Sequence, residues 1–118
     1  MILVDAAYKP QEHEHFTGIQ MYAVIFNAEI ATLDEEYSAA LKQMRQLAVE
    51  VYGCQEITSH TSGTSELTIS YWQTQEQITK WKENTAHLAA QMKGRNKWYK
   101  SYKVQIVELV REYRSESS

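Results

Sequence analysis

Residues 21–30 read MYAVIFNAEI, and the fold turns on this stretch. Its β-branched and aromatic side chains suit a pleated strand. The polar groups Asn27 and Glu29 fall on one parity, yet both parities are rich in apolar residues: Tyr22, Val24 and Phe26 on one, Met21, Ala23 and Ile25 on the other. Because successive side chains point to opposite faces, both faces of the resulting sheet are expected to be covered. Helices can cover one face, and a second sheet is the natural cover for the other.

Downstream, Asp34 is placed to cap a helix whose apolar positions Tyr37, Leu41, Met44, Ala48 and Val51 recur at steps of four and three, with Gly53 as its stop. Glu35 and Glu36 fall in its first turn, where they favour the helix dipole. The run CQEITSHT, a turn SGTS around Gly63, and ELTISYW predict a hairpin, with Leu67, Ile69 and Tyr71 sharing one face of its second strand. Thr74 is a second cap, opening a short helix with Ile78 and Trp81. Residues 83–85 predict a break before a further helical stretch carrying His87, Leu88, Gln91 and Met92. After Trp98, Tyr99 and Tyr102, the segment KVQIVELV alternates as a last strand.

The order β-α-β-β-α-β, with the second helix in two pieces, is the split βαβ arrangement of a ferredoxin-like α+β fold: an antiparallel sheet with helices on one face. Residues 21–113 are expected to form this domain. Residues 1–20 lack periodicity and are expected to be an amino-terminal arm, and 114–118 a polar tail. A chain of 118 residues buries only about two-thirds of its unfolded surface, which favours a homodimer.

Composition narrows the function. With 12 basic and 15 acidic residues spread without blocks, a net charge of −3 argues against nucleic acid and membrane surfaces as partners. The single cysteine, Cys54, excludes an internal disulfide and fits a reducing, cytoplasmic setting. It is expected to pack as a small apolar side chain. Residues 1–4 are too few for a secretory core or membrane span. No metal-ligand spacing, phosphate-cradling glycine loop or nucleotide fingerprint occurs. The His13-Glu14-His15 triplet lies in the arm, where a solvated tail is the expected reading, and His60 falls near the hairpin tip.

Several residues stand out chemically. Asn27 is a carboxamide in an apolar strand, which needs hydrogen-bond partners if buried, and an ordinary backbone-bonded amide accounts for it equally well. Trp81 can wall an aromatic pocket and offer one N–H, or be plain core. His87 can accept a proton near neutral pH, and Gln91, four residues on, shares its helix face. Phe26, Tyr71 and Trp72 are candidate substrate contacts; Tyr71 and Trp72, with Trp98, Tyr99 and Tyr102, equally fit packing or an interface.

ISYW at 69–72, Trp81-Lys82, HLAAQ at 87–91, Gly94-Arg95, and Trp98-Tyr99 followed by Ser101-Tyr102 are similar in order and spacing to the antibiotic biosynthesis monooxygenase (ABM) domains. The resemblance spans roughly 21–113 and implies a dimeric α/β barrel. It also implies a cofactor-independent monooxygenase acting on a small phenol, hydroquinone or anthrone, whose anion reduces dioxygen directly. Asn27, Trp81 and His87 are then the candidate catalytic residues, with Phe26, Tyr71, Trp72 and Gln91 as substrate contacts. Haem binding or degradation is an alternative, because that branch of the superfamily also uses an Asn on the first strand and a Trp on the helix after the third. Its axial His ten residues past the Trp is here Gln91, with His87 about 6 Å earlier along the helix. A third reading is a non-catalytic dimeric binding or stress-response module, since one scaffold serves many activities.

Overall fold

The computed structural model describes residues 20–91 and 98–115, with the side chains of 87–91 outside that description. Six elements follow in order: β1 (Tyr22–Ile30), α1 (Glu35–Glu50), β2 (Glu56–Ser62), β3 (Ser65–Trp72), α2 (Gln75–Gln91) and β4 (Tyr99–Glu108). The strands form one antiparallel sheet in the order β2-β3-β1-β4. The fold is α+β and ferredoxin-like, as the strand and helix patterns implied. The arm, its His-Glu-His triplet, and Gly94 and Arg95 lie outside the described residues.

Caps and turns set the boundaries. Asp34 Oδ1 accepts from the Tyr37 amide at 2.8 Å, satisfying a donor that the first helical turn would otherwise leave open. Thr74 and Gln77 cap α2 reciprocally: Thr74 Oγ1 accepts from the Gln77 amide at 3.1 Å, and Gln77 Oε1 from the Thr74 amide at 3.2 Å. Gly53, at φ 86°, turns the chain out of α1.

Three expectations are corrected. The second helix is continuous through 83–85, because Thr85 Oγ1 donates to the Lys82 carbonyl at 3.0 Å instead of competing with the helical ladder. The hairpin turn is two residues, Gly63 and Thr64, since Ser62 already pairs with Ser65. And β4 starts at Tyr99, where the aromatic run pairs with the end of β1 across a register shift at Glu29/Ile30.

The sheet has two unlike faces. Even-numbered β1 residues face the helices: Val24 joins Ala48, Cys54, Trp72 and Ile78 in one buried cluster, and Ile30 joins Tyr37, Ala40 and Trp98 in another. On the far face, Ile25 lies opposite Ile69 and Ala23 opposite Tyr71. Within one chain that face is covered incompletely: Ala23 is buried, Ile25, Leu67, Ile69 and Tyr71 are half-buried, and Asn27 is exposed. Val51, expected on the buried stripe of α1, is its C-cap and is exposed.

Candidate functional site

Members of both buried clusters line a cavity of about 330 Å³ between the helices and the sheet. Phe26 of β1 and Val104 of β4 belong to its sheet side, Met44 of α1 and Trp81 of α2 to its helix side, and Trp98 and Tyr99 also line it. The aromatic walls are braced against one another. Phe26 meets Tyr99 edge-on at 5.4 Å and Tyr102 at 6.0 Å, while Trp81 lies 5.1 Å from Trp72.

Polar groups gather near Trp98. Glu66, the second residue of β3, is 3% exposed and lines the cavity. The Tyr37 hydroxyl donates to Glu66 Oε2 at 3.0 Å, and the Tyr99 hydroxyl donates to the Tyr37 oxygen at 3.4 Å. Burial raises the Glu66 carboxyl above its usual range, against the opposing pull of the Tyr37 hydrogen bond and the Arg45 charge. Burial likewise raises Tyr37 strongly, with Tyr99 and Glu66 adding to it, and raises Tyr99. Both phenols therefore stay protonated, and the carboxyl is the group able to change its charge.

The opposite ring of the Tyr37 cluster is Trp98, edge-on at 5.5 Å. It is 2% exposed, and its indole N–H has no hydrogen-bond partner among the described residues. A buried donor without an acceptor costs about 1–3 kcal/mol, so this group calls for an explanation.

The sequence-derived candidates divide sharply. Phe26 and Trp81 line the cavity, but the Trp81 N–H is already given to the Met44 carbonyl at 3.1 Å, so it supplies a wall and no free donor. Trp72 lies in the buried cluster under Trp81, its N–H bonded to Ser70 Oγ at 2.8 Å. Asn27 and Tyr71 sit on the far face of the sheet, because their parity is opposite to that of Phe26 and Trp72. Asn27 is exposed and needs no buried partner. His87 and Gln91 belong to the last turns of α2, with side chains outside the described residues.

The grouping of Glu66, Tyr37, Trp98 and Tyr99 arises only in the folded chain. One signal was present: Glu66 shares the parity of Ser70 and Trp72 in ELTISYW, and so must point at the helices. Cys54 is buried as expected, its thiol raised by burial and donating to the Glu56 carbonyl at 3.2 Å. His60 is exposed, also as expected. Among the described residues no three His, Cys, Asp or Glu side chains are grouped to hold a metal, and no helix is long and apolar enough to cross a membrane.

No family model matches the chain. It is 34% identical over 92 residues to the uncharacterised Bacillus subtilis protein YqjZ, covering 77% of this chain and 81% of YqjZ. Among solved structures, it is similar to a Nitrosomonas europaea protein assigned to the antibiotic biosynthesis monooxygenases, at TM-score 0.60 and 20% identity, over 76% of this chain and 90% of the other. It is also similar to SnoaB of Streptomyces nogalater, a cofactor-independent oxygenase, at TM-score 0.61 and 10% identity, over 82% of this chain and 98% of SnoaB. At such identities these two likenesses speak to the fold.

Proposed function

Because this chain belongs to the same family as YqjZ and is an ABM-like domain, we propose that it is a cofactor-independent monooxygenase acting on a small phenol, hydroquinone or anthrone. The observation that carries this reading is the cavity itself: aromatic walls sized for a small ring system, with one buried carboxyl among its lining residues. Such a site holds an electron-rich ring out of water and stabilises its anion, which is the task a protein has when the substrate supplies the electrons.

The overall reaction balances without a further reductant. An activated CH₂ and O₂ give C=O and H₂O: one oxygen atom enters the product, the other leaves with both hydrogens, and the substrate carbon is oxidised. Phe26 and Trp81 act as ring-packing walls. The active species in this reading is a homodimer, built by pairing the far faces of two sheets, where Ile25, Leu67, Ile69 and Tyr71 are incompletely covered in one chain.

Oxygen uptake with anthrone and a panel of hydroquinones tests the proposal. One O₂ consumed per substrate, with a kcat/KM that Trp81→Ala lowers about tenfold or more, is the expected result. Uptake no faster than the uncatalysed reaction across the panel rejects it.

A further inference from the structure

We infer that Glu66 is the proton acceptor of this cavity. The inference rests on the oxygenase reading for its choice of substrate. Its own basis is an unused carboxylate oxygen on a residue that lines the cavity. Glu66 Oε2 is occupied by the Tyr37 hydroxyl, whereas Oε1 accepts nothing from the described residues. The Glu66 side chain lines that space. A ligand that completes it must bring an acidic hydrogen to the carboxylate, as a phenol, an enolisable ketone or an anthrone does.

The hydrogen-bond direction around Glu66 supports a base. Tyr99 donates to Tyr37 and Tyr37 donates to the carboxylate, so the two phenols orient Glu66 and keep their own protons. Tyr37 is accordingly a positioning residue. For architecture alone, a glutamine accepts the Tyr37 hydrogen bond equally well and avoids burying a titratable group. What the carboxyl adds is the capacity to take up a proton. The groups facing it are Tyr37 and Arg45 from α1 and Tyr99 from β4, with Lys82 of α2 at the same cavity. The Arg45 charge favours an anion there.

In the step itself a substrate C–H or O–H bond breaks and its proton passes to Glu66 Oε1. The electron pair stays on the substrate and settles on its oxygen. No electron is transferred until dioxygen enters, so the step can be observed without it.

Anthrone incubated anaerobically with the full chain in deuterated buffer reports the step directly, as deuterium gained at its methylene carbon by mass spectrometry. We expect enzyme-dependent exchange that Glu66→Gln lowers about 100-fold or more and that Glu66→Asp partly retains. On the unaltered protein the exchange rate should rise with pH through one ionisation lying above the usual carboxylate range and below that of tyrosine. Exchange in folded Glu66→Gln within twofold of the parent overturns the assignment. So does parent exchange no faster than buffer, or a profile lacking that ionisation if the variant does not fold. Exchange without oxygen uptake in air removes the oxygenase reading and leaves Glu66 as the base.

Discussion

Tyr37 and Glu66, 29 positions apart in the chain, meet at 3.0 Å across the helix–sheet boundary and tie the first turn of α1 to the start of β3. The bond is buried, and it couples the titration of the cavity to the stability of the fold.

That coupling has a definite sign. Burial holds Glu66 above its ordinary value of 4.5, so the folded state binds this proton more tightly than the unfolded chain. The stabilisation is fully present below that ordinary value and is lost as pH rises through the folded one. Glu66→Gln removes the titration and keeps an acceptor for Tyr37. Its stability relative to the parent should therefore increase between about pH 4 and about pH 8, measured as urea midpoints at both ends. Parallel midpoints for the two proteins contradict the shift.

The two glycines with positive φ should differ when given a side chain. At Gly53, φ 86°, an added Cβ would stand 2.6 Å from Gln77 Nε2, and Gln77 Oε1 is engaged in capping α2. At Gly63, φ 59°, nothing lies within 4 Å. Gly63→Ala should cost about 1–2 kcal/mol for the left-handed backbone alone. Gly53→Ala should cost about 1 kcal/mol more through the disturbed cap. Equal denaturation midpoints for the two variants count against the capping role of Gln77.

Core and surface should separate cleanly. Trp72 is fully buried and bonded to Ser70, and its truncation to Ala should cost about 3–5 kcal/mol. Val110, 82% exposed, should tolerate Ala within about 0.5 kcal/mol. Guanidinium unfolding of both variants decides the point, and a small effect at Trp72 contradicts the packing described for it.

Charge placed on the far face should break the proposed dimer. Ile69 lies opposite Ile25 at the centre of that face. Sedimentation equilibrium at micromolar concentration should give twice the chain mass for the parent and a single chain for Ile69→Lys. A parent that sediments as one chain removes the two-sheet assembly.

How much of this was legible in the letters depends on what each residue's neighbours reveal. The element order followed from alternation and caps, because Asp34 and Thr74 act within one turn of themselves. The face of Asn27 did not. Residues 21–30 are apolar on both parities, so composition hides which side the helices cover, and only pairing with Leu67 and Lys103 fixes Asn27 on the far one. Glu66 was missed for the opposite reason. A carboxyl beside a hairpin turn looks like a surface group, although its parity with Trp72 places it inside. Trp98 and Tyr99 read as packing aromatics because the open N–H and the hydroxyl relay exist only once α1, β3 and β4 are assembled.

The most direct test of where chemistry resides is a crystal structure of the chain soaked with a bromine-labelled naphthohydroquinone, the anomalous signal marking the ring. We expect that signal between Phe26, Trp81 and Tyr99, with a ligand oxygen within hydrogen-bond distance of Glu66 Oε1. Bromine found only on the far face of the sheet, beside Asn27 and Tyr71, would contradict the placement of the site.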